Sequence, residues 1–196
     1  MIIIFDLWGT LGTKNASFST ALRKHFGLTF TTRTYEEILQ LRPWYSYEEM
    51  AEHFLQEFKI PTIEANISFI VKAQKEAIEL ATPFDMIRHI LSRLQEKHTL
   101  ALLSNSTIFE AQVIQKWGFD EFFSAKIFPF EIGSIKPDKE IYLALCDNLG
   151  VLPKDCLFVD DSAKNCEAAS RLGMKSHQYK GIADFELFLR EKKLLE

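Results

Sequence analysis

Only three cysteines occur in the 196 residues, Cys146, Cys156 and Cys166, and no two are spaced Cys-x-x-Cys. That odd count and spacing argue against a disulfide framework and against a zinc site, leaving three small apolar core side chains. Charge of one sign is nowhere concentrated: 23 basic and 27 acidic residues are mixed along the chain for a net −4. Without a basic block or stripe, the sequence offers nucleic acid no electrostatic footprint. No apolar run approaches the ~18 residues of a membrane span. The opening run Ile2–Phe5 is short, is broken by Asp6 and has no basic residue before it, so it does not read as a signal peptide. Internal repeats and low-complexity segments are lacking too. The expectation is a cytoplasmic globular protein, a monomer by default, with no nucleic-acid or membrane partner.

What is present is a large apolar fraction, 47% of residues, in a chain long enough to bury about 70% of its unfolded surface. The chain opens MIIIFDLWGTL. Ile2–Phe5 is a continuous apolar run of the kind buried on both faces of a parallel sheet. It delivers one carboxylate, Asp6, to a turn. From Ala16 to Leu80 the pattern is helical. Tyr47, Met50, Ala51, Phe54, Leu55 and Phe58 share one helix face, with Ala16–Phe26, Tyr35–Leu41 and Ile63–Leu80 as further helices punctuated by Pro43 and Pro61.

After Pro83 short apolar strands alternate with helices. The strands are expected at Thr99–Leu103, Ser124–Phe128, Cys156–Val159 and Met174–His177. The helices are expected at Met86–Gln95, Thr107–Trp117, Lys139–Leu149, Ser162–Leu172 and Phe185–Leu194. Thr107-Ile-Phe-Glu110 has the form of a capping box. This alternation implies βαβ units: an α/β, Rossmann-like three-layer core around a parallel sheet, with an inserted all-helical domain. The expected division is a core of residues 1–13 and 83–196 and an insertion of residues 14–82.

Ligands of parallel sheets sit outside the carboxyl ends of the strands. Those ends carry Asp6, Ser104-Asn105 and Asp160-Asp161, and Lys136 precedes a helix in GSIKPDKEIY. Each alone has a plain structural explanation: a turn aspartate, a helix start, a cap, a solvated lysine. Together, in FDLWGTL, LLSNS, GSIKPDKEIY and LFVDDSAKNCEAA, they resemble the haloacid dehalogenase superfamily of phosphatases and related hydrolases, over the whole chain.

That resemblance implies a magnesium-dependent enzyme whose nucleophile is Asp6, forming an acyl phosphate that water then hydrolyses. Magnesium would be held by Asp6, the backbone carbonyl of Trp8 and Asp161, with Asp160 in or behind the ligand set. Lys136 would offset charge at the reacting phosphate, and Ser104 with Asn105 would bind it. Gly9 would let the chain turn with backbone N–H groups facing an anion. The helical insertion would be the cap that closes over the site. Its Arg42-Pro-Trp-Tyr45 loop offers Arg42, Trp44 and Tyr45 as substrate contacts. The substrate would be a small phosphorylated metabolite. The five histidines fall outside the motifs.

Trp8 departs from the pattern. Phosphatases of the superfamily place a second aspartate two residues after the nucleophile, where it protonates the leaving oxygen and activates water. An indole has one N–H donor and no group that titrates near neutral pH, and acid–base catalysis of this kind contributes about 10²–10⁴-fold. Three readings follow. The first is a phosphatase or phosphotransferase that is slow or finds its acid elsewhere. The second is a 2-haloacid dehalogenase, a metal-free class with an aromatic residue at this position, for which Arg33 or Arg42 could bind halide. The third is a non-catalytic binding or regulatory protein on the same fold.

Overall fold

The computed structural model describes residues 1–195. Five parallel strands form one sheet in the order β5-β4-β1-β6-β7. They are β1 (Ile2–Phe5), β4 (Thr99–Leu103), β5 (Phe123–Ile127), β6 (Cys156–Asp160) and β7 (Lys175–Gln178). The chain steps outward from β1 to β4 and β5, then returns to add β6 and β7 on the other side. The reversal puts β1 at the centre and opens a crevice at its carboxyl end.

The strand side chains explain the layers. Ile3 and Phe5 point into one apolar cluster and Ile4 into the other, all three fully buried. The first cluster is covered by α5 (Ile87–Gln95), α6 (Val113–Lys116) and α10 (Ile182–Glu191). The second is covered by α8 (Lys139–Leu149) and α9 (Ala163–Arg171). A strand covered on both faces needs a near-continuous apolar run, which the central β1, β4 and β6 supply, while the edge strands β5 and β7 carry polar residues such as Lys126 and Lys175. The three cysteines are buried and unpaired, as their small size suits.

Four helices fill the insertion between Thr13 and Thr82: α1 (Phe18–Phe26), α2 (Thr32–Gln40), α3 (Tyr47–Glu57) and α4 (Glu64–Glu79). They close on a core of their own, in which Met50, Ala51, Phe54 and Leu55 of α3 meet Phe18, Leu22, Leu39 and Ile70. These helices are the helical cap of the fold. The chain enters and leaves them through a two-stranded antiparallel ribbon, β2 (Gly12–Thr13) against β3 (Thr82–Pro83). Gly12 is there for closeness more than for flexibility, because a Cβ would overlap the Trp117 ring and the Thr82 carbonyl.

Two local expectations need correction. The helix expected over 107–117 is broken into a 3-10 turn, Glu110–Gln112, and the short α6. Its capping box is nevertheless present: Glu110 N donates to Thr107 Oγ1 at 3.1 Å and Thr107 N to Glu110 Oε2 at 3.0 Å. A further helical turn, α7 (Pro129–Ile132), follows β5 where no helix was expected. Pro at its first position presets the backbone for that turn.

Candidate active site

The apolar run of β1 ends with Asp6 N donating to Val159 O at 2.9 Å, which fixes the aspartate beside the end of β6. There Lys136 Nζ lies 2.6 Å from Asp6 Oδ1 and 2.7 Å from Asp160 Oδ2. All three side chains are nearly sealed from solvent. An ammonium is buried in a protein only when charges of the opposite sign surround it. Burial disfavours the charge on Lys136, but the carboxylates of Asp160 and Asp6, and their hydrogen bonds, outweigh it and raise its pKa. Burial pushes the Asp6 carboxyl up to about 7, with Lys136 opposing and Asp160 adding to the push.

Asp160 is the organiser of this trio. Its Oδ1 accepts from Ser162 N at 2.8 Å, Asn165 Nδ2 lies 3.2 and 3.1 Å from its two oxygens, and Oδ2 holds Lys136. Asp161 is exposed toward the cleft. Thr10 Oγ1 accepts from Asp161 N at 3.1 Å, tying the turn after β1 to the acidic pair. Gly9 stands at φ +83 against Asp161, where a Cβ would collide with the carboxylate. Its own N–H donates to Gly12 O at 2.8 Å. The glycine is needed for close approach.

Oxygens of Asp6, Asp160 and Asp161 lie within 4.8 Å of one another. With all three carboxyls ionised, the cluster and its one ammonium carry two negative charges, which one divalent cation would balance. An all-oxygen donor set of this kind fits magnesium. Ser104 is fully buried at the end of β4, its Oγ 3.0 Å from Ser106 Oγ. The Asn105 side chain is committed to the Lys136 backbone, accepting from its N at 2.8 Å and donating to its O at 3.0 Å. It steadies the lysine loop, a role its motif position did not reveal.

Trp8 lines the cleft beside Asp6, with its indole engaged by neighbouring side chains. Its Nε1 donates to Ser106 Oγ at 2.9 Å, and its ring meets Trp117 edge-on at a centroid distance of 5.9 Å. Lys14 Nζ sits 4.5 Å from the ring centroid and pairs with the buried Glu110.

Asp6, Trp8, Asn105, Lys136 and Asp161 line one cleft of about 450 Å³ between sheet and cap. The cap contributes Ser19 of α1 and Thr32, Arg33, Tyr35, Glu36 and Gln40 of α2. The expected contacts from the loop after α2 are elsewhere, and this is a correction. Trp44 is buried in the cap core with Nε1 donating to Leu39 O at 2.7 Å, and Arg42 packs over its ring. Tyr45 is 93% exposed, and none of the three lines the cleft. The physical reason is apolar burial: the loop's indole is drawn into the cap core, and the α2 face turns to the sheet instead. Helical spacing of Arg33, Glu36 and Gln40 was the available signal.

The turn, acidic pair and lysine thus gather at the carboxyl end of a central parallel strand, under a helical cap, the arrangement of a hydrolase with an α/β fold. The chain matches the haloacid dehalogenase-like hydrolase family over residues 1–173, and it belongs to that family. It is 26% identical over 110 residues to an N-acetylmuramic acid 6-phosphate phosphatase of Pseudomonas aeruginosa, covering 55% of this chain and 49% of that protein. The match thus spans about half the length of that relative. It is 24% identical over 180 residues to a phosphorylated carbohydrates phosphatase of Thermotoga maritima, covering 88% of this chain and 82% of that protein.

Among solved structures, a family enzyme from Bacteroides thetaiotaomicron in complex with magnesium and inorganic phosphate superposes with TM-score 0.70 at 20% identity, covering 95% of this chain and 98% of that one. An L-2-haloacid dehalogenase from Xanthobacter autotrophicus with chloropropionic acid covalently bound superposes with TM-score 0.63 at 19% identity, covering 98% and 82%. At such identities these two establish the shared fold. Among the described residues no helix is long and apolar enough to cross a membrane.

Proposed function

We propose that the chain is a magnesium-dependent phosphatase that works through an aspartyl phosphate on Asp6. The observation that carries this reading is the Lys136 bridge between Asp6 and Asp160, with Asp161 close enough to share a cation. A carboxylate dyad held by one ammonium suits attack on phosphorus, where charge on the equatorial oxygens must be offset and little else is asked of the protein. Asp6 supplies the attacking oxygen. Lys136 holds that carboxylate in place and neutralises negative charge beside it. Asp160 holds Lys136. Ser104 is set at the strand end to hydrogen-bond a phosphate oxygen.

Asp6, Asp161 and the Trp8 carbonyl would hold magnesium, with Asp160 behind them. The ion supplies Lewis acidity and charge for the phosphoryl oxygens. Residues 14–82 act as the cap, excluding water from the cleft and presenting α2 to the substrate. The relatives named for phosphorylated sugars support a small phosphorylated metabolite as substrate. The mixed charge pattern, with no basic stripe, supports a chain without a nucleic-acid partner, and a cytoplasmic monomer is proposed as the default.

Dehalogenation is disfavoured by a specific contact. The guanidinium of Arg33 is engaged by Asp138 and Glu37, and it is Lys136 that meets Asp6. The test is release of phosphate from 4-nitrophenyl phosphate with and without magnesium, comparing wild type with Asp6→Asn. Metal-dependent turnover that Asp6→Asn abolishes is expected. Release equal in the two proteins would refute the reading.

A further inference from the structure

Resting on that reading, we propose that Glu36 of the cap is the general acid and base of the reaction, in the place that Trp8 cannot fill. The cleft itself narrows the choice. Among the described residues, three carboxyl groups line it: Asp6, Asp161 and Glu36. Asp6 is needed as nucleophile and Asp161 faces Asp6 and Asp160 in the acidic cluster. Glu36 alone is uncommitted to either role. Of the other titratable groups there, Tyr35 is buried and its phenol is held well above the ordinary range by that burial, so it keeps its proton. Lys14 is paired with Glu110, Arg33 with Glu37 and Asp138, and Lys136 with Asp6 and Asp160. Lys164 lines the cleft from α9, in the sheet domain and not the cap.

Glu36 is anchored in the same cleft as Asp6. Its Oε1 accepts from Asn105 Nδ2 at 3.1 Å, and that same Nδ2 lies 3.0 Å from Lys136 O. The carboxyl is therefore hinged to the residue after Ser104 and to the loop that carries Lys136. It comes from the cap, the side on which the alcohol portion of a phosphate ester must lie once phosphorus faces Asp6. Burial raises the Glu36 pKa, although Asn105, Lys136, Arg33 and Lys14 all oppose the rise. A half-buried carboxyl so placed can carry a proton and return to the anion within one cycle.

One turn along the same face, Gln40 gives a second sign of a ligand. Its side chain is 2% exposed and lines the cleft, Nε2 donates to Asn105 O at 3.3 Å, and Oε1 has no partner. A buried acceptor without a donor is costly. It marks where a hydroxyl of the substrate alcohol would be received, so the substrate class is a phosphate monoester of a hydroxylated alcohol.

The step balances without a co-reactant. An Asp6 oxygen forms a bond to phosphorus while the bond from phosphorus to the ester oxygen breaks. The departing oxygen keeps the electron pair and takes the Glu36 proton. In the second half, water attacks the phosphorus, the bond to Asp6 breaks, and the Glu36 carboxylate takes the water proton.

The test is Glu36→Gln, with Glu36→Asp beside it, on phenyl phosphate and 4-nitrophenyl phosphate in the presence of magnesium. Phenoxide leaves poorly without a proton and nitrophenoxide leaves well. Glu36→Gln is expected to keep a burst of nitrophenol stoichiometric with enzyme while losing about 10²–10⁴-fold in steady turnover. The burst with phenyl phosphate should be lost as well, the alkaline limb of the kcat/KM profile should vanish, and Glu36→Asp should restore part of both. Equal slowing of both bursts, or an unchanged pH profile, would overturn the role of Glu36 while leaving the phosphatase reading intact. Wild type with no turnover at all would overturn both.

Discussion

The indole N–H of Trp8 donates to Ser106 Oγ at 2.9 Å, and Ser106 Oγ lies 3.0 Å from Ser104 Oγ. A residue that cannot move protons is thus wired to the strand end where phosphate is expected. Ser106 Oγ thus joins the indole and Ser104 in one hydrogen-bonded chain, and either serine hydroxyl can donate to the other. Replacing Trp8 by Phe removes the donor and part of the contact with Trp117. The expected cost is about 1–2 kcal/mol, one hydrogen bond plus a small void. Inorganic phosphate should inhibit Trp8→Phe less strongly than wild type. Urea unfolding and phosphate inhibition measure the two effects separately. An unchanged inhibition constant would show that the chain of hydroxyls does not reach the ligand.

Gly9 makes a second prediction. At φ +83 a side chain costs about 1–3 kcal/mol of backbone strain. The added methyl also displaces the Asp161 carboxylate. Gly9→Ala is therefore expected to melt lower than wild type and to lose most of the rise in Tm that magnesium gives wild type by binding only the folded state. Melts with and without magnesium test it. A magnesium shift equal to that of wild type would mean that Asp161 does not hold the ion.

Much of this was legible before any coordinates, and the reasons differ by element. β1, β4 and α8 fall on the residues expected from the sequence because a doubly covered strand must be continuously apolar and because Gly150 ends a helix unambiguously. Asp6, Lys136 and Asp160 were marked by strand ends and motifs, and the sheet does bring them together. The lysine's grip on both carboxylates was not, since contacts 130 and 24 residues apart leave no local periodicity. The cap was read as helices correctly, yet its contacting face was misjudged. An aromatic loop looks like a binding site in one dimension. In three, Trp44 belongs to the cap core, and the polar stripe Arg33, Glu36, Gln40 faces the cleft.

Stability should fall in mild acid through His177. The ring is stacked on Phe188 with centroids 4.0 Å apart, and Nε2 is 3.1 Å from Asp184 Oδ2 without the alignment of a hydrogen bond. Burial lowers its pKa despite the opposing pull of Asp184, with Lys180 adding to the lowering. The unfolded chain therefore binds a proton that the folded one refuses. The stability His177 contributes is complete above its ordinary pKa, about 6.5, and is lost as pH falls toward the depressed folded value. Urea unfolding between pH 5 and 8 should show a shallower acid slope in His177→Phe than in wild type. Parallel curves would mean that the ring titrates alike in both states.

The cap is held to the sheet domain by a fork: Arg33 Nη2 is 2.7 Å from Asp138 Oδ2 and Nη1 is 3.3 Å from Asp138 Oδ1. Asp138 precedes α8 but its side chain makes no capping hydrogen bond, so its carboxylate is free for this contact. Both side chains are about two-fifths exposed, at 39% and 40%. An exposed ion pair is worth at most about 1 kcal/mol to folding. Its leverage lies in closure, because the same arginine lines the cleft. Asp138→Asn should shift the unfolding free energy by less than about 1 kcal/mol, while KM for 4-nitrophenyl phosphate rises and kcat changes less. Added salt should raise KM in wild type toward the mutant's value and leave the mutant nearly unmoved, since screening acts on the pair that Asp138→Asn has already removed. A mutant whose kcat falls with KM unchanged would place Asp138 in the chemistry and not in the latch.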